Sequence, residues 1–389
     1  MMLAGAVLAY PAFGIAAPLI DGTQDIQSSM RMADVNPRFE VIDGLLGSLQ
    51  GDNKSGLGLS SKQDLVNAGV SYRTLGQEDT DLVTIGLNAS THTASGFSAE
   101  ANYFRSVDEL RTAFGTDHYE AGRIRLDQNT RYGEFFLAGD VSRAGIDEFK
   151  KTTLSRLEQP VETKRAVIGH RYTFEGFGSL ANSFGYTHRD MSYGNLSEIQ
   201  KYQTWNTTYK GQFGASQLSA SITKGLSGQR DYSVAPLLGD FNPNFYAAQL
   251  GYGLDGLALN DQLGYGVSGS YFIGSEDMPS AERMTIGGRG RGSSHEPGVV
   301  SGYKGSFAEA RLYGMNVPGF SYLSMKPYVS VNGARTSHPT EGKFSLVSAE
   351  VGVIGRWRDF SSTLSYAKSV VDENIDHDSR LNLDLSYTY

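Results

Sequence analysis

The sequence contains no cysteine, and its 7 histidines show no metal-ligand spacing. A disulfide framework and a thiolate metal site are therefore excluded. The absence of cysteine suits a protein of the bacterial envelope, which crosses an oxidising compartment unfolded. No metal and no cofactor is expected.

An excess of basic residues is also missing. The formal net charge is -8 and the pI is near 5.4, whereas affinity for nucleic acid depends on clustered lysine and arginine. We therefore expect no nucleic-acid partner.

Long apolar runs are absent beyond the N-terminus. A transmembrane helix needs about 20 consecutive apolar residues, so most of the chain holds no such helix. A transmembrane β-barrel needs only alternating segments of about 10 residues, with aromatic residues at the membrane interfaces. The 22 tyrosines, the 19 phenylalanines and a mean hydropathy of -0.32 permit a barrel of this kind.

The first residues resemble a secretion signal. Residues 1–18 are mostly small and apolar, and residues 14–17 offer small side chains for cleavage, although the basic start of a signal peptide is missing. We interpret residues 1–19 as a signal-peptide-like segment, with a gene start or a cut inside a longer leader as the alternative. Residues 20–65 form a polar N-terminal segment with weak periodicity.

From Val66 onward, apolar and polar residues alternate. This period of two gives an extended strand one apolar face and one polar face. About 16 such segments follow one another, an even number that is typical of outer-membrane barrels. The segments are residues 66–74, 83–90, 97–103, 118–126, 132–141, 166–174, 180–188, 202–209, 217–223, 245–252, 263–271, 307–313, 324–332, 347–357, 360–367 and 381–389. We predict an all-β fold, in which residues 66–389 form a transmembrane antiparallel barrel in the outer membrane of a Gram-negative bacterium.

The chain ends on an apolar face that finishes with an aromatic residue. The alternate residues of this face include Leu383, Leu385, Tyr387 and Tyr389. Such a last strand resembles the insertion signal that the barrel-assembly machinery recognises. An open edge this apolar would aggregate, so we expect it to close against the first strand. The expected surroundings are outer-membrane lipid and lipopolysaccharide.

A glycine-rich interruption separates the segments at 263–271 and 307–313. Its central run contains Gly287, Gly288, Arg289, Arg291 and Gly292. With the preceding residues 282–286, this run resembles the loop of the two-partner secretion transporters (the TpsB, or haemolysin-activator, family), which has a Gly-Gly pair and an Arg-Gly tip. Residues 326–333 resemble that family's strand with a Phe-x-Asp motif, and residues 349–353, 364–367 and 381–389 resemble its last three strands.

The resemblance implies a function in protein export. In that family the long loop, here residues 273–304, folds into the lumen as a plug or gate. The barrel secretes or activates a large exoprotein of the haemolysin or adhesin type, and it needs no catalytic residue. The loop follows the eleventh of about 16 strands and the second motif lies on the thirteenth, as the family requires.

In the family, the arginine at the loop tip contacts the barrel wall near the aspartate of the second motif. Arg291 best matches the tip, and Arg289 is the alternative. A guanidinium in a narrow lumen needs a charge-assisted partner. The sequence departs from the family pattern at Asn332, which replaces the acid, and at Ser330 and Ser293, which replace aromatic residues. By alternation the acids that face the lumen are Glu309, Glu350 and Asp384, and we predict that one of them pairs with the loop arginine.

A second departure concerns the N-terminus. Family members carry two periplasmic substrate-capture (POTRA) domains before the barrel. Residues 20–65 cannot hold two domains, because a domain below about 40 residues rarely folds unaided. The chain is therefore either a transporter fragment or a barrel whose capture modules are supplied by another polypeptide.

Three other functions compete with export. In a passive porin, an infolded loop and charged wall residues such as Arg311 would set the pore. An outer-membrane enzyme would need a nucleophile and a base in hydrogen-bond reach. Ser294 and His295 lie beside flexible glycine, and most of the histidines are interpreted as solvated loop or barrel-wall residues. A soluble β-sandwich is the third. The acidic run at residues 372–378 is interpreted as a solvated loop, with a divalent-cation or lipopolysaccharide site as the alternative.

Overall fold

A computed structural model describes residues 65–76, 82–92, 96–106, 120–145, 160–174, 176–193, 196–234, 241–258, 263–288, 290–295, 300–315, 324–340, 342–357, 360–375 and 379–388. In several segments, among them residues 65–76, 82–92 and 383–388, it describes the backbone alone. The signal-peptide-like segment and nearly all of the polar N-terminal segment lie outside these ranges. No helix within them is long and apolar enough to cross a membrane.

Within the described residues, 16 antiparallel strands form one closed barrel. The strands are β1 (Leu65–Gly76), β2 (Leu82–His92), β3 (Phe97–Ser106), β4 (Glu120–Thr130), β5 (Gly133–Gly145), β6 (Pro160–Phe174), β7 (Gly178–Tyr193), β8 (Leu196–Phe213), β9 (Ser216–Tyr232), β10 (Tyr246–Ala258), β11 (Leu263–Gly274), β14 (Lys304–Tyr313), β15 (Ser324–His338), β16 (Gly342–Trp357), β17 (Phe360–Glu373) and β18 (Ser379–Thr388). Two short strands between β11 and β14, β12 (Met284–Ile286) and β13 (Val300–Gly302), form a separate hairpin.

The last strand closes the sheet against the first. Gly69 of β1 lies opposite Thr388 of β18, and Gly76 lies opposite Leu381. Closure pairs both edges of the barrel sheet. The N–H and carbonyl groups of an open edge would find no hydrogen-bond partner in lipid. The prediction of a closed antiparallel barrel of about 16 strands is confirmed.

The inward and outward faces are the reverse of those in a soluble protein. Leu137 and Val331 are 50% and 56% exposed on the outer face, whereas Asp140 and Asn332 are 2% and 1% exposed and point inward. Apolar residues of soluble proteins are usually buried and charged ones exposed. Lipid outside and a polar lumen account for the reversal.

Several strands are longer than the alternation predicts. The predicted segment 202–209 is part of β8 (Leu196–Phe213), and β9 (Ser216–Tyr232) continues well beyond the predicted segment 217–223. Three of the four outward positions of β8 before Trp205 are polar, namely Ser197, Lys201 and Gln203. A strand that continues above the lipid no longer needs apolar outward side chains, so the alternation stops before the strand does.

The connections differ in length at the two ends of the barrel. Residues 131–132, 214–215 and 358–359 connect strands at the end where β1 begins and β18 ends, whereas residues 146–159, 233–245 and 275–303 connect them at the other end. Short turns face the periplasm and long loops face outward in barrels of this type. The long-loop end is therefore the extracellular one.

The outward face predicts how charge affects stability. Val331 lies halfway along β15, and Val370 lies near the extracellular end of β17. Val331→Arg should lower the free energy of unfolding by about 2–4 kcal/mol, and the matched control Val370→Arg by only about 0–1 kcal/mol, because the cost of a cation falls toward the interface. Denaturant titration in phospholipid vesicles measures both, and equal losses would contradict this assignment of the outer face.

Candidate functional site

The connection between β11 and β14, here called the lumen loop (residues 275–303), packs against inward-facing side chains of the barrel. From Met278 to His295 its described residues are buried, apart from the half-buried Glu282. Its two ends meet at the wall, where the N–H of Gly274 donates to the carbonyl of Tyr303 at 2.6 Å. The glycine-rich interruption therefore turns inward rather than standing outside the barrel.

Glycines shape the tip of the lumen loop. Gly287, Gly288, Gly290 and Gly292 have φ values of 94°, 81°, 75° and 103°, a region that side-chain-bearing residues rarely adopt. The N–H of Gly288 donates to the carbonyl of His295 at 3.0 Å. The N–H of His295 donates to the carbonyl of Gly292 at 2.9 Å. The predicted glycine run thus forms a compact turn that returns the chain on itself.

An apolar cluster lies between the lumen loop and the wall. The loop contributes Met278, Met284 and Ile286, and the barrel side contributes Tyr202, Phe245, Ala247, Phe272, Phe307, Ala334, Phe344 and Leu346. Met278 and Ile286 are fully buried, and burial of one such side chain stabilises by about 1.5–3 kcal/mol. The cluster therefore packs the base of the loop against the wall.

Asn332 binds the tip of the lumen loop. Its Oδ1 accepts hydrogen bonds from the backbone N–H groups of Gly292 and Ser293, both at 2.9 Å. A Cβ at Gly292 would lie 2.9 Å from the side chain of Leu346, so only glycine lets the tip approach this closely. Asn332, which stands where the family motif has an aspartate, thus faces the loop. Its uncharged amide supplies the hydrogen-bond acceptor.

A buried polar cluster continues this contact toward β18. The carbonyl of His295 accepts from Nη1 of Arg380 at 2.9 Å. Its ring Nδ1 lies 2.9 Å from Oγ of Ser294, and its Nε2 lies 3.5 Å from Oδ2 of Asp372. Oγ of Ser294 also lies 2.7 Å from Oγ of Ser348. The tip is therefore bound to β16, β17 and β18.

The position of Asp372 corrects the interpretation of the acidic run. Asp372 lies on β17, and its side chain is fully buried against His295 of the lumen loop. It also accepts a hydrogen bond from Ser369, so it does not belong to a solvated loop. Residues 376–378 of the run lie outside the described part. No cluster of three metal-ligating side chains occurs in the residues that the structure covers.

The opposite wall holds the start of the lumen loop. Nη1 of Arg189, on β7, donates to Oγ of Ser280 at 3.0 Å, and the hydroxyl of Tyr202, on β8, donates to Oε1 of Glu282 at 2.9 Å. In the ring of 16 strands, β7 and β18 lie on opposite sides. The lumen loop therefore crosses the barrel interior from one wall to the other.

Arg291, the predicted tip arginine, is buried, with its guanidinium carbon 4.5 Å from the ring centroid of Phe307. This is a cation–π contact. The alternative, Arg289, lies outside the described residues.

The three acids proposed as arginine partners have separate positions. Oε1 of Glu309 lies 2.5 Å from Nη2 of Arg311, and Oε1 of Glu350 accepts from the hydroxyl of Tyr328 at 2.5 Å. Both acids are buried and inward-facing, as the alternation predicts. Asp384 lies opposite Arg73 in the backbone register of β1 and β18, and both side chains lie outside the described part. That one of these acids pairs with the loop arginine stays a prediction.

The proposed insertion signal lies on β18. Leu383, Leu385 and Tyr387 occupy register positions opposite β1 and β17, while their side chains and Tyr389 lie outside the described part. Their role in insertion stays a prediction.

Sequence reasoning missed Arg189, Tyr202, Ser348 and Arg380. Alternation places all four on the inward face, which was the available signal. It does not say which part of the lumen loop each one meets, because these contacts join residues up to 91 positions apart.

Neither a protein-family model nor a curated protein sequence matches the chain. Among solved structures, CdiB from Acinetobacter baumannii aligns with a TM-score of 0.62 at 14% identity, covering 83% of this chain and 60% of that one. CdiB from Escherichia coli gives 0.61 at 13% identity, covering 83% and 63%. BamA from Haemophilus ducreyi lacking POTRA domains 1–3 gives 0.54 at 12% identity, covering 85% and 71%.

These similarities concern the fold. The chain has the barrel fold of outer-membrane proteins, and this agrees with the resemblance to two-partner secretion transporters. The fold and the exposed apolar outer face place the chain in the outer membrane of a Gram-negative bacterium. The chain covers 60% and 63% of the lengths of the two CdiB structures.

The hydrogen bonds to Asn332 should protect the backbone amides of the loop tip from hydrogen exchange. Asn332→Ala leaves two buried N–H groups without their acceptor, at about 1–3 kcal/mol each, so the amides of Gly292 and Ser293 should exchange hydrogen roughly ten- to a hundredfold faster. Hydrogen exchange measured by mass spectrometry tests this. Asn332→Asp keeps the acceptor and should preserve protection, as should Asn206→Ala elsewhere on the wall. Unchanged exchange in Asn332→Ala would contradict the docking geometry.

Proposed function

We propose that this chain is an outer-membrane barrel that translocates a large exoprotein through its lumen, and that the lumen loop closes the pore at rest. The observation that carries the proposal is the path of the loop, which meets β7 through Ser280 and β18 through His295. A loop that crosses the lumen obstructs it. Transport of an unfolded chain then requires the loop to move.

The contacts of the loop tip are weak enough for the loop to bind the wall reversibly. At the tip they are hydrogen bonds to Asn332, Ser348 and Arg380, each of which contributes about 0.5–1.5 kcal/mol net, or more where a charge takes part. Exposure to water would satisfy the same groups. The apolar cluster around Ile286 supplies the larger share of the closing free energy and also excludes ions from the closed state.

The lining of the β8–β9 wall suits the passage of unfolded polypeptide. In the half of these strands nearer the periplasmic turn, the inward-facing residues are short and uncharged: Thr204, Asn206, Thr208, Ser219, Ser221 and Thr223. Such side chains offer neither an apolar surface to which a passing segment would adhere nor a charge that would select one sequence. A translocated chain would slide past them with weak and non-specific interactions.

The class of exoprotein is proposed from the resemblance of the loop and strand motifs. Those motifs lie after the eleventh and on the thirteenth barrel strands, β11 and β15, which supports a partner of the haemolysin or adhesin type. Insertion of the barrel by the assembly machinery, through β18, and contact with lipopolysaccharide at the extracellular rim are part of the same proposal.

We propose no catalytic role for the chain. Ser294, His295 and Asp372 lie in series, with His295 2.9 Å from Ser294 and 3.5 Å from Asp372, an order of residues that resembles a hydrolase triad. However, Ser294 is fully buried and its hydroxyl also contacts Ser348, so no substrate reaches it in the docked state. Their proposed role is to attach the tip of the loop to the wall.

The plug role predicts how a covalent lock behaves. Because the chain has no cysteine, a Ser293→Cys/Asn332→Cys pair creates one disulfide between loop and wall. Oxidised protein in planar bilayers should remain closed, and reductant should restore irregular openings. In cells, the lock should block release of a large secreted protein encoded beside this chain. A Ser219→Cys variant, on the wall away from the loop, is the control.

A steady open pore in the oxidised variant would contradict the plug role. The same result would favour the alternative of a passive porin-like channel, in which charged wall residues set the conductance without a moving loop.

A further inference from the structure

A second segment also turns into the barrel. Residues 241–245, here called the strap, end the connection between β9 and β10. Phe245 is fully buried and Phe241 half-buried, and their rings lie 6.2 and 6.0 Å from the ring of Tyr202 in edge contacts. Because the hydroxyl of Tyr202 donates to Glu282 of the lumen loop, the strap and the loop share one wall residue.

The inner face of β9 is shaped to receive the strap. A Cβ at Gly225 would lie 2.1 Å from the carbonyl oxygen of Pro243, and one at Gly228 would lie 2.7 Å from Cβ of Pro243. The N–H of Gly225 donates to the carbonyl of Phe245 at 2.9 Å. The pairing of β8 with β9 shifts register at this height, a bulge of the kind that often lies beside functional sites. Two glycines and a bulge thus form a groove for the strap.

Asn242 ties the strap to the lumen loop. Its N–H donates to the carbonyl of Asp277 at 2.8 Å, and its Nδ2 donates to Oδ2 of Asp277 at 2.8 Å. Its Oδ1 accepts from the N–H of Asn244 at 2.9 Å, which fixes the orientation of the side chain. One residue therefore holds the start of the loop through both its backbone and its side chain.

We propose that the strap is a second latch on the lumen loop, placed at the extracellular end. The tip of the loop is bound at β15–β18, whereas the strap holds Asp277 near β9 on the other side. Motion of the start of the loop away from this position breaks the contact with Asn242. The strap itself can stay seated against Gly225 and Gly228, so the contact between Asn242 and Asp277 is what the loop must break to open fully. The inference rests on the proposed plug role of the loop.

Single-channel recording tests the latch with two variants. Asn242→Ala removes the side-chain tie and leaves the strap backbone, so the open probability should rise about three- to tenfold while the conductance of the open state stays the same. An Asn242→Cys/Asp277→Cys pair, oxidised, should lower the open probability, and reductant should restore it. Asn182→Ala, which lies on β7 away from strap and loop, is the matched control and should behave as wild type. Heat-modifiable migration in gels checks that each variant is folded.

The outcomes separate this inference from the proposed function. If the loop lock at Ser293 and Asn332 closes the channel but neither Asn242 variant changes the open probability, the plug role stands and the latch is wrong. If the loop lock has no effect either, the plug role itself fails. A change in Asn182→Ala as large as that in Asn242→Ala would also overturn the latch, because the effect would not depend on the strap.

Discussion

Lipid cannot form hydrogen bonds with the peptide backbone, and the rest of the structure follows from this constraint. Every N–H and carbonyl group in the membrane needs a partner within the protein, so an extended chain survives there only as a closed sheet. Closure is made here by β1 and β18, which join Gly69 to Thr388. The same constraint turns apolar side chains outward and leaves the interior to polar residues and to the lumen loop.

A ring of 16 strands encloses more space than its own side chains fill. The lumen loop occupies part of it, with an apolar cluster at its base and hydrogen bonds at its tip. This division has a functional consequence. In the proposed function, the apolar base seals the pore, while the tip at Asn332 and the strap at Asn242 hold the loop by polar contacts that water can replace. Such a barrel would be closed at rest and would open without unfolding its wall.

The strands were predictable because each lipid-facing position must be apolar, so the period of two is visible in the sequence alone. Their upper ends were not, since Lys201 and Gln203 of β8 face outward above the lipid and break the pattern. Alternation and a family motif placed Asn332 on the inner wall, but they did not predict its bonds to the backbone of Gly292 and Ser293. Arg380 with His295, and Arg189 with Ser280, could not be predicted because the partners are 85 and 91 residues apart and depend on the path of the loop.

The central claim is that the loop tip lies inside the barrel, and labelling of single cysteines in intact cells tests it most directly. Ser293→Cys would occupy a position that is 1% exposed, and Val234→Cys one that is 68% exposed at the extracellular end. With a membrane-impermeant maleimide, the account predicts rapid labelling at Val234→Cys and almost none at Ser293→Cys unless Asn332 is also replaced by alanine. Equal labelling rates at the two positions would contradict it.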